Sequence, residues 1–291
     1  MNHFLHRALC AVVLAAGLPA AAFAQAMNWD PPTTEPVYRY ATKTPRNCVD
    51  RAGFPNFLAQ ARAEAQRRGI GPRGQAALQG LTFDEQVVSR DRGQKVFTQT
   101  FEEFSGRMVT PRLGAARKRM QQHAALLQRI EREFGVPPGV IVAIWGLETD
   151  HGGFLGTFDT VRAIATLAYD CRRPEKFRPE LMAILKIVDQ GNLDPATAKG
   201  AWAGEIGQTQ FMPTSYVKFA IDYDRDGRID LVRSVPDVLA STANFLKGSG
   251  WQRGQGWQPG QPNFAAIQQW NKADVYARTI AYFAERLESG R

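Results

Sequence analysis

One glutamate in this chain stands in a setting suited to proton transfer. Glu148 directly follows the apolar run Ile141–Leu147 and precedes a polar, glycine-containing stretch that begins at Thr149. A carboxyl group among such neighbours is poorly solvated, which raises its pKa and lets it hold a proton near neutral pH. A general acid needs that property. The alternative is an ordinary glutamate at a helix end whose side chain reaches water.

The stretch Gly200–Pro213 is rich in small residues, neutral polar side chains and aromatic rings. Glycine and alanine let backbone segments approach closely. The side chains of Gln208–Gln210 offer uncharged hydrogen bonds that suit sugar hydroxyls and amides. Trp202 and Phe211 could stack on sugar rings, although a buried aromatic residue usually belongs to the core. This stretch is therefore a candidate sugar-binding segment.

Carboxylates recur at alternate positions from Asp222 onward, with Gly227 at the sixth position. This spacing matches the first half of a calcium-binding loop. The twelfth position holds Arg233 in place of the bidentate glutamate, so the loop is not a standard EF-hand. Asp237 is a candidate late ligand. The alternative is a polar turn capped by an aspartate.

The elements that must position these residues are mostly helices. Apolar residues recur at three- and four-residue steps from Leu113 to Phe134, which predicts one amphipathic helix with a solvated charged face. Gly135–Pro138 breaks the chain, and the apolar run after it predicts a buried helix that carries Glu148. Gly250–Pro262 is predicted to be a surface loop or flap. Helical spacing also predicts helices that begin near Phe54 and over 160–169, 177–190, 235–247 and 273–287.

Length, composition and charge indicate a globular protein. The 291 residues are 44% hydrophobic and 22% charged, which excludes wholesale disorder and a fibrous repeat. The formal net charge is +8. A positive net charge is compatible with binding to nucleic acid, but the sequence has no helix-turn-helix, zinc or RNA-binding signature. A nucleic-acid partner is therefore not expected.

The first residues are predicted to direct export. Residues 1–24 combine a basic start, an apolar run and Ala22-Phe23-Ala24, the pattern of a secretory signal peptide cleaved near Ala24. The alternative is an uncleaved N-terminal anchor. Residues 25–47 are predicted to form an extended lead-in, and residues 48–291 to form the functional domain. The predicted location is periplasmic.

Two cysteines remain after removal of the signal peptide, Cys48 and Cys171. In an oxidising compartment, two cysteines far apart in sequence are expected to form a disulfide. The alternative is two buried free thiols.

Several motifs, taken in order, resemble those of the B-type lytic murein transglycosylases. They are Gly146–Thr149, Ala165–Tyr169, Gly207–Pro213, the Asp222–Asp230 loop, and Trp270-Asn271 followed by Tyr276. The resemblance runs from about Cys48 to Leu287, with its core motifs at about 135–251. It implies a mainly α, lysozyme-like helical domain with an additional helical N-terminal segment and a calcium-loop insertion. The cleft of such a domain would bind peptidoglycan glycan strands.

The resemblance also assigns roles to individual residues. The catalytic acid of the family falls on Glu148, and a structural calcium ion, with no cofactor for the chemistry, is implied. Residues implied to contact the substrate are Gln210, Tyr169 and Asn271 along the sugar cleft, and Arg172 and Arg173 at a carboxylate of MurNAc or of the stem peptide. Phe211 joins them as a candidate from its aromatic ring alone. The implied metal ligands are Asp222, Asp224, Asp226 and Asp237.

One position departs from the family pattern. Relatives often carry a serine that helps orient the catalytic acid, and this chain has Ala201 there. Another group must then orient Glu148, and Gln210 is the candidate.

The implied reaction consumes no water. Glu148 would protonate the oxygen between MurNAc and GlcNAc and then take a proton from the MurNAc 6-hydroxyl, which closes a 1,6-anhydro ring. Hydrolysing glycosidases usually need two carboxylates, and Asp150 would turn away from Glu148 on a helix. Two alternatives stay open, a hydrolytic muramidase and an inactive peptidoglycan-binding protein. Cell-wall synthesis or secretion machinery is an expected partner.

Overall fold

The computed structural model describes residues 51–93 and 99–290. The predicted signal peptide (1–24), the lead-in (25–47) and Cys48 lie outside the described residues. The export of the chain and the pairing of Cys48 with Cys171 therefore stay predictions.

Helices make up most of the described chain, as the periodicity predicts. Those before residue 135 are α1 (Phe54–Arg67), α2 (Pro72–Ala76), α3 (Glu85–Arg92), α4 (Phe101–Val109), α5 (Leu113–Gln122) and α6 (Ala124–Phe134), with short 3₁₀ turns at Arg51–Gly53 and Thr110–Arg112. Those after it are α7 (Pro138–Thr149), α8 (Thr160–Tyr169), α9 (Pro174–Asp189), α10 (Pro213–Phe219), α11 (Val235–Gly248), α12 (Phe264–Trp270) and α13 (Asp274–Glu288).

Strands have a small part in this region. In the described residues β1 (Phe158–Asp159) pairs antiparallel with β2 (Lys199–Gly200), and Phe158 lies opposite Gly200. The pair brings the segment after α7 next to the start of the glycine-rich stretch Gly200–Pro213.

The core of the fold surrounds α7. Ten of its twelve residues are buried, and α5, α6, α11 and α13 all pack against it. A helix that is apolar on all sides needs partners on all sides, so the apolar run Ile141–Leu147 accounts for its central place.

The predicted helix from Leu113 to Phe134 is wrong in one respect, because it is two helices. His123 leaves the helical conformation, with φ −110° and ψ 20°, and separates α5 from α6. Its ring packs against Trp145 at a centroid distance of 5.8 Å. The apolar spacing continues across the break because both helices face the core, so periodicity alone could not reveal it.

The segment Gly250–Pro262 is an anchored loop and not a flap. Asn263 is fully buried. Its Oδ1 accepts the Gln252 N–H at 2.7 Å, and its Nδ2 donates to the carbonyls of Gln252 and Gln255 at 2.9 and 2.8 Å. At the other end, Trp251 Nε1 donates to the Gly135 carbonyl at 2.9 Å.

None of the helices described is both long and apolar enough to cross a membrane.

Candidate active site

Glu148 lies in the last turn of α7. Pro138 takes the first turn of this helix, where its missing N–H costs no hydrogen bond. The helix ends at Asp150, which has a left-handed φ of 52°. Because α7 is held on all sides, its rigid backbone fixes the direction in which the Glu148 side chain leaves the core.

Two donors converge on one oxygen of Glu148. The indole Nε1 of Trp270 donates to Oε1 at 2.9 Å, and the hydroxyl of Tyr276 donates to the same oxygen at 3.0 Å. Trp270 is the last residue of α12, and Tyr276 lies in the first turn of α13. Within the described chain no hydrogen bond is made to Oε2, so this oxygen can meet a ligand.

The environment of Glu148 favours its neutral form. Burial raises the pKa of this carboxyl to about 7, although the hydrogen bonds from Trp270 and Tyr276 act in the opposite direction, and the charge of Glu205 adds to the increase. A carboxyl group with a pKa near 7 is present in both protonation states at neutral pH. Glu148 can therefore both donate and accept a proton, as its apolar neighbours predict.

A further carboxylate near Glu148, the partly buried Glu205, was not predicted from the sequence. Its Oε2 accepts the Ala203 N–H at 3.1 Å, and burial raises its pKa. Glu205 lies in a glycine-rich loop, where no helical or strand periodicity marks a residue as buried. Asp150, as predicted, turns away: it is exposed, and its Oδ1 forms an ion pair with Arg112 Nε at 2.7 Å.

The expectation that Gln210 orients Glu148 is wrong. The Gln210 Nε2 donates to the carbonyls of Leu155 and Gly207, at 3.2 and 2.8 Å. Trp270 and Tyr276 orient the acid in its place. Gln210 instead ties the glycine-rich stretch to the loop that follows α7, which leaves it at the edge of the site as a candidate substrate contact.

Phe211 was expected to stack on sugar, and that expectation is wrong. Only 2% of it is exposed. Its ring packs edge-on against Trp270 at 5.3 Å and against Phe245 at 6.0 Å. A ring enclosed in this way cannot stack on a ligand, but it does hold the Trp270 indole that contacts Glu148.

Asn271 lies beside the hydrogen bond between Trp270 and Glu148. It directly follows Trp270 and is partly exposed. Its Oδ1 accepts the Ala273 N–H at 3.0 Å, which fixes the short link between α12 and α13. Its position next to Trp270 is compatible with the predicted place in the cleft.

Tyr169 ends α8 and joins that helix to the N-terminal helices. Its ring packs against Phe57 of α1 at 5.2 Å and against Phe83 at 6.1 Å. Tyr169 is partly exposed. One part of its ring thus has a structural role, and the other part can still contact a ligand.

One acid holds both predicted substrate arginines. Arg172 Nη1 lies 2.7 Å from Asp91 Oδ2, and Arg173 pairs with the other oxygen of Asp91. Asp91 belongs to α3 and is 1% exposed. Two cations against one anion leave an excess of positive charge that an acidic ligand can use. Asp91 was not predicted as a site residue, because it precedes Arg172 by 81 positions and no local pattern links the two.

Lys176 connects these charges with Glu205. Burial and then Arg173 lower the pKa of its amine, and the carboxylates of Glu180, Glu205 and Asp91 oppose that change. Arg172, Arg173 and Glu205 therefore belong to one charged region around the start of α9.

Three of the four predicted metal ligands come together. Oxygen atoms of Asp222, Asp224 and Asp237 lie within 4.8 Å of one another. Asp226 stands outside this group, and its Oδ1 accepts the Arg228 N–H at 2.8 Å, so its assignment as a ligand stays a prediction. Arg233, at the twelfth position, pairs with Asp230 at 2.9 Å. Converging carboxylate oxygens fit a hard cation such as Ca²⁺.

Comparison with known proteins gives consistent results. A family model described as "Transglycosylase SLT domain" matches residues 53–261. Membrane-bound lytic murein transglycosylase B of Escherichia coli K12 is 40% identical over 131 residues, which are 45% of this chain and 36% of that protein. The chain thus spans only about a third of the length of this curated relative.

Solved structures share the fold. SltB3 from Pseudomonas aeruginosa, in complex with NAG-anhNAM-pentapeptide, has a TM-score of 0.77 at 30% identity over 82% of this chain and 80% of that one. The lytic transglycosylase Slt35 of Escherichia coli, in complex with calcium, has a TM-score of 0.70 at 24% identity over 89% and 99%.

Proposed function

Because this chain belongs to the transglycosylase SLT domain family, we propose that it is a lytic transglycosylase that cleaves peptidoglycan glycan strands. The observation that carries the proposal is the carboxyl group of Glu148, which has a pKa of about 7 and two donors on one oxygen. The bond cleaved is the β-1,4 link between MurNAc and GlcNAc, and the product ends in 1,6-anhydro-MurNAc.

In the first step Glu148 acts as an acid. Because Trp270 and Tyr276 both donate to Oε1, that oxygen takes the carbonyl role and the proton resides on Oε2. Oε2 delivers the proton to the glycosidic oxygen as the bond from that oxygen to the anomeric carbon breaks. The substrate's own 2-acetamido oxygen assists at the anomeric carbon.

In the second step the same group acts as a base. The Glu148 carboxylate left by the first step keeps both hydrogen bonds, which stabilise its charge. It removes the proton of the MurNAc 6-hydroxyl, whose oxygen bonds to the anomeric carbon and closes the anhydro ring. Glu148 thereby regains the proton that it lost in the first step, and the reaction consumes no water. Acid–base help of this kind contributes typically about 10²–10⁴ in rate.

The remaining site residues would bind the strand. Gln210, Tyr169 and Asn271 border the sugars, and Arg172 with Arg173 meets a carboxylate of MurNAc or of the stem peptide. The buried Asp91 supports this last role, since it holds both guanidinium groups in place.

Two further assignments accompany the proposal. Residues 1–24 act as a signal peptide, which places the enzyme in the periplasm, where its substrate is found. Asp222, Asp224 and Asp237 hold a calcium ion with a structural role, supported by the convergence of their oxygens. The reaction itself needs no cofactor.

The test is the digestion of purified sacculi by the wild-type protein and by Glu148→Gln, followed by mass spectrometry of the products. We expect 1,6-anhydro ends from the wild type. We expect no turnover from Glu148→Gln, with retention on sacculi unchanged, because the amide keeps the shape but cannot supply the proton. Reducing ends in place of anhydro ends would identify a hydrolytic muramidase. An inactive wild type that still binds sacculi would identify a binding protein.

A further inference from the structure

Phe154 is the large apolar side chain that stays exposed in the described residues. It is 64% exposed, whereas the other large apolar residues described are covered or partly covered. Exposure of a phenyl ring to water is unfavourable by about 25 cal/mol for each Å². The exposed ring follows the catalytic helix by five residues, which makes it a candidate for a ligand contact.

The backbone under this ring is fixed. The Phe154 N–H donates to the Thr149 carbonyl at 3.0 Å, and the Gly152 N–H donates to Thr149 Oγ1 at 2.9 Å. Asp150 and His151 both adopt left-handed conformations, with φ of 52° and 61°. The backbone that carries the ring is thus held in place, so little backbone freedom is lost when the ring binds a ligand.

The turn that carries Phe154 connects the end of α7, at Glu148, with the glycine-rich stretch Gly200–Pro213. On one side, Thr149 is the neighbour of Glu148. On the other side, the Leu155 carbonyl accepts from Gln210 at 3.2 Å. At Gly156, an added Cβ would lie 2.0 Å from the Gly200 carbonyl oxygen, so the turn packs directly on the start of the glycine-rich stretch. Phe154 therefore lies on a turn whose backbone contacts both the end of the Glu148 helix and Gln210.

We propose that Phe154 is a sugar-binding residue whose ring stacks on the apolar face of a pyranose in the glycan strand. This inference rests on the proposed function. A phenyl ring has no polar atom, so the contact is made by the C–H face of a sugar and not by its hydroxyls. Because the contact is the same in substrate and transition state, it contributes to affinity more than to the chemical step.

The test compares Phe154→Leu, which keeps apolar bulk without a ring, with Phe154→Trp, which keeps a ring. Substrates are sacculi and glycan strands stripped of stem peptides by an amidase. For Phe154→Leu we expect KM to rise about three- to tenfold on both substrates with kcat nearly unchanged, the range of one aromatic contact. Phe154→Trp should restore the wild-type KM. Thermal unfolding should be unchanged in both variants, because the side chain is exposed.

The outcomes separate this inference from the proposed function. If the wild type forms no anhydro product, the proposed function fails. If the wild type is active and Phe154→Leu matches it on stripped strands, the sugar contact is wrong. A loss seen only on peptide-bearing sacculi would assign the ring to the stem peptide and would also overturn the proposal.

Discussion

Trp270 donates its indole N–H to Glu148 Oε1 at 2.9 Å while its ring packs edge-on against Phe211 and Phe245, at 5.3 and 4.9 Å. The two phenyl rings leave the indole little freedom, so the donor is fixed before any substrate arrives. The packing of Trp270 against Phe211 and Phe245 thus determines which oxygen of Glu148 stays free of hydrogen bonds.

Replacement of Trp270 by phenylalanine should slow the reaction and shift its pH dependence. The variant loses a hydrogen bond that favours the carboxylate, so the pKa of Glu148 should rise above its value of about 7. Because the free enzyme must carry the proton, the alkaline limb of kcat/KM should move to higher pH. We expect kcat to fall roughly ten- to 100-fold, since a hydrogen bond to a charged group contributes about 1.5–3 kcal/mol.

Phenylalanine keeps most of the contact with Phe211 and Phe245, which makes thermal unfolding a control for Trp270→Phe. A variant with normal unfolding and an unmoved alkaline limb would show that Trp270 does not orient the acid.

Replacement of Glu205 by glutamine should shift the alkaline limb in the opposite direction. The charge of Glu205 helps to raise the pKa of Glu148, so its removal should lower that pKa and move the limb to lower pH. Glutamine can still accept the Ala203 N–H that Glu205 now accepts at 3.1 Å. The pH profile of kcat/KM for the two variants side by side is the measurement. Shifts of the same sign would contradict this account of the site.

The sequence alone predicts the parts of the site that depend on local pattern. The apolar run before Glu148 predicts a buried helix and a raised pKa, and the structure has both. Local pattern could not predict Asp91 or Glu205, because long-range packing brings Asp91 to distant arginines and partly buries Glu205 within a loop. It placed Phe211 in the sugar cleft because composition does not reveal which face of a ring is covered.

His151 should make folding stability depend on pH. It is 5% exposed, and within the described residues its Nε2 has no hydrogen-bond partner. Burial, with Arg119 and Arg112 adding and Asp150 opposing, lowers the pKa of this imidazole from 6.5 to about 4. The unfolded chain therefore binds the proton more readily, and stability is lost as pH falls from 6.5 toward 4. Between pH 7 and pH 5 the contribution is about 2 kcal/mol.

Chemical denaturation of the wild type and of His151→Asn at pH 7 and pH 5 measures this contribution. Asparagine does not titrate and tolerates the left-handed backbone at this position, where φ is 61°. We expect the variant to be less stable at pH 7 but to lose about 2 kcal/mol less on acidification. Equal losses in the two proteins would show that His151 does not cause the acid sensitivity.

Calcium should stabilise the fold without taking part in the reaction. If Asp222, Asp224 and Asp237 bind the ion, free calcium at a hundred times its Kd should add about 2.7 kcal/mol and raise Tm by several degrees. Asp224→Ala should abolish that rise. Asp226→Asn is the matched control, because Asp226 belongs to the same loop but its side chain lies outside the group of converging oxygens. Differential scanning fluorimetry with calcium and with a chelator distinguishes these cases. A wild-type Tm that does not change with calcium would reduce the loop to a polar turn. An equal loss of the calcium effect in both variants would show that Asp226 is also a ligand.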